Sequence, residues 1–285
     1  MASYLRPTEL SDALAALGAG DGRGRTILAG GTDHYPARLG APRDEDIVDI
    51  TALPGLRAIV SRGDHWFIPC LATWSDVIAA DFLPPAFDGL RAAARQVGGV
   101  QVQNAGTLCG NLCNASPAAD GMPNFLALDA QVELASVRGS RLVAVGDFVL
   151  GSRRTARAAD ELVLGLRVPA PAPAARGVFL KLGARAYLVI SIVMVAAVIE
   201  LGADGRIVRA RVSVGACTEV PARLTALEAA LVGARADALL VQAEHLAGLS
   251  PIDDMRGTAA YRGDAALELV RRAVGAFTAP ARVAA

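Results

Sequence analysis

The chain has 285 residues, of which 53% are hydrophobic and 20% charged, and its 28 basic and 28 acidic side chains give zero formal net charge. This composition is typical of a soluble globular protein with enough apolar material for one large domain or two smaller ones. The arginines are scattered rather than gathered in a stripe, so the chain offers no electrostatic footprint for nucleic acid or an anionic membrane. We expect neither as a partner.

Two features bear on export and membrane insertion. The amino-terminal segment MASYLRPTELSDAL lacks a basic stretch followed by an apolar one, so no secretory signal is predicted. The longest apolar run, from Tyr187 to Leu201, is too short for a spanning helix, and its Val and Ile content favours a buried strand. The sequence therefore predicts a cytoplasmic protein without a membrane span.

The first part of the chain predicts short helices and strands. An amphipathic helix begins near Thr8, with a cap from Thr8 or Ser11. Residues 18–24 contain GAGDG but precede a strand, so we interpret them as a turn and not as a dinucleotide fingerprint. Residues 98–120 show little periodicity and predict a long loop, which is uncommon in a compact domain unless it has a function. Strands are predicted at 26–29, 46–50, 57–60, 66–70, 131–136, 142–145 and 161–168, and helices at 73–79, 87–97 and 122–128.

The second part of the chain has a different pattern. The proline-rich residues 169–173 mark a domain boundary. Three strands follow, and the sequence Gly202-Ala-Asp-Gly205 predicts a hairpin between the last two. The strands are predicted at 178–183, 188–201 and 206–217, and helices at 225–231, 236–247 and 258–277. Strands followed by helices indicate an α+β domain, in which a three-stranded antiparallel sheet is covered on one face by helices.

The cysteines and histidines predict no metal site. Cys109 and Cys113 have no second pair at metal-binding spacing, so these two, with Cys70 and Cys217, are interpreted as small buried hydrophobic residues. Among the histidines, only His34 lies beside a glycine-rich segment. The sequence contains no recognisable Ser/His/Asp set or carboxylate pair, so no catalytic residue is assigned.

Two glycine-rich segments carry the strongest chemical signal: Leu28-Ala-Gly-Gly-Thr-Asp33 and the segment NAGTLCGNLCNASPAAD, which ends at Asp120. Such loops expose successive backbone N–H groups, and glycine lets the backbone approach a pyrophosphate closely. Asp33 and Asp120 are expected to orient the loops or to bind a ribose hydroxyl. Hydroxyl or amide donors for phosphate oxygens are present at Thr32, Thr107, Asn111 and Ser116. By themselves, the segments are consistent either with ordinary glycine-rich turns or with a site for FAD or another nucleotide.

These two segments resemble the paired FAD-binding signatures of the medium subunit of the molybdenum hydroxylases, a family that includes the flavin subunits of xanthine dehydrogenase and carbon monoxide dehydrogenase. The resemblance extends over nearly the whole chain. Shorter matches occur in the family's order at Arg6-Pro7, 48–50, 126–129, 161–162, 167–169, 181–182, 215–216 and 254–262.

The resemblance implies a fold and a set of cofactor contacts. The fold is α+β: a FAD-binding domain of the vanillyl-alcohol-oxidase (PCMH) type with two subdomains over residues 1–172, and a C-terminal α+β domain over 176–280. Asp120 would lie at the ribose or adenine side of the cofactor, and Lys181 near the flavin. The residues implied to contact FAD are Leu28, Ala29, Gly30, Gly31, Thr32, Asp33, His34, Tyr35, Gly106, Thr107, Cys109, Gly110, Asn111, Ser116, Asp120, Leu162, Val163, Lys181 and Tyr187.

Three features depart from the family pattern. Cys109 stands where many relatives have a second glycine, and His34-Tyr35 replaces aliphatic residues. The sequence does not decide whether Cys109, His34 or Tyr187 touches the flavin. The cysteine-rich insertion found in relatives similar to hydroxybenzoyl-CoA reductase is missing, so flavin is the one cofactor expected on this chain.

The function implied is that of an electron-transfer subunit. A molybdenum cofactor on a large partner subunit would hydroxylate the substrate, and 2Fe-2S clusters on a small partner would pass electrons to the FAD of this chain. The external acceptor would be NAD⁺, oxygen or a quinone-linked carrier, and the assembly a dimer of heterotrimers. A stand-alone FAD oxidoreductase and a non-catalytic nucleotide-binding or scaffold module are the alternatives. The sequence does not indicate the substrate, because its pocket would lie on another chain.

Overall fold

The computed structural model describes residues 2–19, 24–38, 40 and 45–278. The turn predicted at 18–24 therefore lies partly outside the described residues. Two compact units are formed. The first contains Met1–Val77, Val100–Ala115 and Ala130–Ala170, and the second contains Ile78–Gly99, Ser116–Asp129 and Pro171–Ala285. No helix in the described part of the chain has the length and apolar character needed to cross a bilayer.

The elements are numbered in chain order. The strands are β1 (Tyr4–Leu5), β2 (Thr26–Leu28), β3 (Ile47–Asp49), β4 (Val60–Ser61), β5 (His65–Pro69), β6 (Gln131–Ser136), β7 (Gly139–Ala144), β8 (Val149–Gly151), β9 (Arg154–Thr155), β10 (Leu162–Pro169), β11 (Ala175–Leu182), β12 (Val193–Leu201), β13 (Ile207–Gly215) and β14 (Ala222–Arg223). The α-helices are α1 (Leu10–Gly18), α2 (Trp74–Ile78), α3 (Asp88–Ala94), α4 (Val100–Ala105), α5 (Leu108–Asn114), α6 (Gly121–Ala127), α7 (Val145–Phe148), α8 (Thr225–Leu231) and α9 (Ala259–Gly275). Short 3₁₀ turns lie at Pro36–Arg38, Pro85–Phe87, Ala238–Leu240 and Ala243–Leu246.

The first unit is built on two larger sheets. The strands of one pair in parallel in the order β1-β3-β2, and those of the other are antiparallel in the order β4-β5-β10-β6-β7. Leu162 and Leu166 of β10, Ile68 of β5 and Leu134 of β6 are buried, as is Trp74 of α2. These apolar side chains belong to the core of the first unit. Trp66 of β5 is half-buried.

The second unit contains an antiparallel sheet in the order β11-β12-β13-β14. Every residue from Val193 to Ile199 of β12 is buried, which indicates that both faces of the sheet are covered. Alternate residues of β12 pack in one apolar cluster with residues of α8 and α9. On the other face, α3 and α6 contact the sheet, and Ser213 Oγ of β13 donates to Pro123 O of α6 at 2.6 Å.

The structure corrects the predicted second domain in four respects. The sheet has a fourth, two-residue strand, β14, and helices cover both of its faces rather than one. The strand predicted from residue 188 begins at Val193, and Leu188 lies outside it with a left-handed φ of 50° that is foreign to a strand. The helix predicted at 236–247 is two separate 3₁₀ turns. The hairpin at Gly202–Gly205 is confirmed, with Gly205 N bonded to Gly202 O.

The first part of the chain differs from its prediction at several places. Elements β1, α7, β8 and β9 were not predicted, and the helix predicted at 87–97 spans Asp88–Ala94. Residues 98–120 contain α4 and α5, not one long loop; these helices have six and seven residues, which is too short for a clear helical periodicity in the sequence. Residue Glu9, not Thr8 or Ser11, occupies the N-cap of α1 and makes no side-chain capping bond. Of the strand predicted at 57–60, only Val60 belongs to β4.

Candidate cofactor site

In the first unit, the two glycine-rich segments lie directly against each other. A Cβ atom on Gly30 would lie 1.7 Å from the carbonyl oxygen of Ala105, so only glycine fits there. A Cβ atom on Gly106 would lie 3.2 Å from Thr32 Oγ1 and 2.8 Å from Val102 O. Strand β2 ends at Leu28 and delivers the first segment to this contact, while α4 ends at Ala105 and delivers the second.

The first segment turns sharply and keeps an accessible backbone. Gly31 has a φ of +68°, and a Cβ atom there would lie 2.7 Å from the ring of Tyr35. Tyr35 N donates to Gly31 O, and the Tyr35 ring meets the His34 ring edge-on at 5.1 Å between centroids. Residues 29–31 are half-buried, and Thr32 and Asp33 are exposed, so a ligand has access to this turn.

The second segment is fixed by backbone bonds to neighbouring loops. Trp74 N donates to Gly106 O at 3.2 Å, and Leu108 N donates to Ala72 O at 3.0 Å. Thr107 caps α5 by accepting the N–H of Gly110 on its hydroxyl oxygen at 2.9 Å. Thr107 and Gly106 are buried, whereas Gly110 is exposed and Asn111 half-buried. Gly110 and Asn111 are thus accessible, as are Asn104 and Ala105 at the start of the segment.

Arg153, which the sequence did not single out, links the two segments. Its Nη1 donates to Asp33 Oδ2 at 2.6 Å and also to Asn114 Oδ1 at the end of α5. Asp33, which was expected to accept backbone hydrogen bonds or to hold a ribose hydroxyl, forms an ion pair with this guanidinium. No local sequence pattern signals this contact, because Arg153 and Asp33 are separated by 120 positions and the chain is rich in arginine.

Other predicted contact residues of the first unit are also placed. Leu162 and Val163 are buried in β10 and pair with residues of β6. The pairing of β10 with β5 begins at Gly165. His34 Nε2 lies 3.4 Å from Glu45 Oε1. The side chain of Cys109 is inside the unit, with 3% of the residue exposed, and faces no open surface.

In the second unit, Asp120 and Lys181 form one buried group. Lys181 Nζ donates to Asp120 Oδ2 at 2.6 Å, and Ser191 Oγ donates to Asp120 Oδ1 at 2.6 Å. Burial raises the pKa of Asp120, and the Lys181 ammonium and the two hydrogen bonds act against that rise. Ser191 was missed by the sequence analysis, because a serine inside an apolar run gives no sign of its partner.

The surroundings of this pair are open on one side. A cavity of about 410 Å³ lies beside Lys181 and is lined by Gln96, Leu182, Gly183, Arg185, Ala186 and Val189. Arg185 closes the turn beyond it by donating to Leu188 O, and Tyr187 in this turn is 71% exposed. Ser116 belongs to the same unit and accepts the N–H of Ala118 in a tight turn.

The cysteines behave as the sequence predicts. Cys70, Cys109 and Cys217 are buried, Cys113 is half-buried, and all four are free thiols. Burial raises the pKa of Cys70 to about 12 and those of Cys113 and Cys217 to about 11, and it also raises that of Cys109. Within the described residues, no group of three or more His, Cys, Asp or Glu side chains is placed to hold a metal ion.

Comparison with known proteins identifies the class of these domains. Residues 1–171 match the family model described as the FAD binding domain in molybdopterin dehydrogenase, and residues 179–277 match the CO dehydrogenase flavoprotein C-terminal domain. The chain is thus a FAD-binding domain followed by a flavoprotein C-terminal domain, which confirms the α+β class predicted. It belongs to the family of FAD-binding subunits of molybdenum hydroxylases.

Relatives match the chain over nearly its whole length. The nicotine 6-hydroxylase medium subunit of Paenarthrobacter nicotinovorans is 30% identical, with 95% of each chain covered. The carbon monoxide dehydrogenase medium chain of Afipia carboxidovorans is also 30% identical, over 95% of this chain and 94% of that one. A solved structure of carbon monoxide dehydrogenase from Hydrogenophaga pseudoflava superimposes with a TM-score of 0.88 at 28% identity, covering 98% of both chains.

The glycine-rich contact in the first unit fits the pyrophosphate of FAD. Its accessible residues are small, its backbone is forced into close approach at Gly30 and Gly106, and one segment adopts a positive φ at Gly31. These are the properties that let a backbone approach phosphate groups closely.

Proposed function

We propose that this chain is the FAD-carrying electron-transfer subunit of a molybdenum hydroxylase complex. The observation that carries the proposal is the direct contact of two accessible glycine-rich segments inside a domain of the FAD-binding family. When bound, FAD supplies the redox chemistry, and the chain supplies binding, orientation and electrostatics.

Residues 29–35 and 107–111 are proposed to hold the pyrophosphate. Support comes from the exposure of Thr32, Asp33 and Gly110 and from the half-buried Asn111. The buried Thr107 would act through its cap of α5, which fixes the direction of the Gly110 N–H. The contacts proposed for Leu162 and Val163 are to backbone atoms, since their side chains are buried. The domain limits at 172 and 176 are part of the same proposal.

The Asp120–Lys181 pair and Tyr187 are proposed as further cofactor contacts. Lys181 Nζ lies 2.6 Å from Asp120 Oδ2, so the two side chains share one location in the second unit. They would therefore contact one part of the cofactor together and not its two ends. An open cavity beside Lys181 supports this placement.

The partners proposed are a large subunit with a molybdenum cofactor and a small subunit with 2Fe-2S clusters, arranged as a dimer of heterotrimers. Relatives described as medium chains or medium subunits support such an assembly. An obligate subunit also buries apolar surface against its partners. The second unit exposes large apolar side chains at Tyr187, Leu188, Ile190, Ile252, Met255 and Tyr261.

The acceptor proposed is NAD⁺, oxygen or a quinone-linked carrier, and the compartment is the cytoplasm. Four free cysteines support a reducing compartment, because disulfides accumulate in oxidising ones. The substrate of the complex would bind the molybdenum subunit, so its class is to be found on that chain.

The first experiment is purification of the complex through a tag on this chain, from cells that also express the genes neighbouring its own. We expect two co-purifying subunits, visible absorption from flavin and iron–sulfur clusters, and release of FAD on denaturation. A colourless chain that purifies alone from these cells would contradict the proposal and favour a scaffold function. A flavin-loaded solitary chain that oxidises a substrate by itself would favour the stand-alone oxidoreductase.

A further inference from the structure

Arg153 lies in the turn between β8 and β9 and contacts both glycine-rich segments of the first unit. Its guanidinium pairs with Asp33 of the first segment and with Asn114 at the end of α5. Its backbone N–H donates at 3.0 Å to the carbonyl of Ala115, the left-handed residue that ends α5. One residue therefore joins the two segments through three hydrogen bonds.

The backbone of Arg153 is itself unusual. Its φ is +60°, in the left-handed region that residues other than glycine rarely adopt. The neighbouring Gly151 and the short β8–β9 pairing define a tight turn that presents this side chain to Asp33. Such conformations persist where the surrounding contacts over-determine them, and they concentrate at ligand-binding sites.

The negative charge of Asp33 explains why an arginine is needed at this position. Asp33 is exposed in the very segment proposed to receive a pyrophosphate, and an uncompensated carboxylate there would repel the phosphate charges. The Arg153 guanidinium, 2.6 Å away, cancels that charge. Asp33 in turn holds the guanidinium beside the segment.

We propose that Arg153 is a positioning residue for the cofactor: it neutralises Asp33 and fixes the first glycine-rich segment against α5 so that both segments can receive the pyrophosphate. The inference rests on the proposed binding of FAD by these segments. The side chains of Arg153 and Asp33 are 56% and 51% exposed, and exposed ion pairs contribute little to folding. A substitution of Arg153 can therefore weaken FAD binding without lowering the stability of the fold.

The test compares full-length variants stripped of flavin. FAD affinity is measured by titration at low and high salt, and the thermal unfolding midpoint is measured without FAD. The variants are Arg153→Ala, Arg153→Lys, Asp33→Asn and the double variant Asp33→Asn/Arg153→Ala. Arg154→Ala is the matched control, because Arg154 is the adjacent exposed arginine on β9.

Arg153→Ala is expected to weaken FAD binding by about tenfold, or ~1.4 kcal/mol, more at low salt than at high salt, with an unchanged unfolding midpoint. The double variant should recover most of the loss, Arg153→Lys should be intermediate, and Arg154→Ala should match wild type. The proposal is overturned if Arg153→Ala binds FAD normally, if its midpoint falls as in a folding defect, or if the double variant stays as weak as Arg153→Ala. A wild-type chain that binds no FAD at all would reject the proposed function together with this inference. A wild-type chain that binds FAD, with an Arg153→Ala variant that binds it equally well, would reject this inference alone.

Discussion

Lys181 Nζ lies 2.6 Å from Asp120 Oδ2, and the two side chains are only 6% and 8% exposed. The family resemblance led us to expect Asp120 at the ribose or adenine side of FAD and Lys181 near the flavin. Side chains in direct contact cannot serve opposite ends of an extended dinucleotide. The pair has to be treated as one group with one location.

Lys181→Met should strongly destabilise the chain, because it leaves the Asp120 carboxylate buried without its cation. Removal of one partner of a buried pair costs ~3–5 kcal/mol of unfolding free energy. Urea denaturation of the flavin-free chain measures the change. Arg272→Met is the control, since it breaks the exposed Arg272–Glu268 pair of α9 and should cost less than ~1 kcal/mol. If the two substitutions lower the unfolding free energy equally, the buried Asp120–Lys181 pair contributes no more to stability than an exposed pair does.

Features that depend on neighbouring residues were predicted from the sequence, whereas features that depend on contacts between distant residues were not. The sequence predicts the α+β class, the hairpin at Gly202–Gly205 and the glycine-rich segments, because these depend on local residue types. It does not predict α4 and α5, whose few turns are stabilised by contacts such as Leu108 N to Ala72 O. Pairs such as Arg153 with Asp33, far apart in sequence, leave no local pattern.

Asp254 provides a pH-dependent contribution to stability. The N–H of Arg256 and then the guanidinium groups of Arg262 and Arg256 hold the pKa of Asp254 at about 2, below its ordinary 3.8. A pKa depressed in the folded state contributes stability that is present above the unfolded pKa and is lost as the pH falls from about 3.8 toward 2.

Asp254→Asn should therefore be less stable than wild type at neutral pH, and the difference should shrink once the pH falls below about 4. Urea denaturation at a series of pH values measures both chains. A difference in unfolding free energy that stays constant from neutral pH down to pH ~3 would show that Asp254 does not titrate in this way.

The thiols should resist modification in the folded chain. The thiolate is the reactive form, and burial raises the pKa of each cysteine, so little thiolate is present at neutral pH. We expect slow reaction with Ellman's reagent, beginning at the half-buried Cys113, and rapid reaction of all four thiols in denaturant. Cys113→Ser should remove the first phase. Rapid modification of Cys109 in the native chain would contradict the burial of its side chain.

Gly30→Ala should disrupt both folding and cofactor binding. The added Cβ would lie 1.7 Å from Ala105 O and 2.6 Å from Ala105 C, so the backbone of the two glycine-rich segments has to separate. Overpacking of this kind costs ~1–3 kcal/mol, and separation of the segments should also weaken FAD binding by more than the Arg153→Ala substitution does.

Gly24→Ala is the matched control for Gly30→Ala. Gly24 lies in the same unit, and among the described residues a Cβ atom there would meet Ala159 Cβ alone, at 3.9 Å, which is ordinary contact. Its unfolding free energy should stay within ~0.5 kcal/mol of wild type, with unchanged FAD affinity. If Gly30→Ala binds FAD as tightly as Gly24→Ala, the contact between the segments is not required for binding. The pyrophosphate would then have to lie elsewhere on the chain.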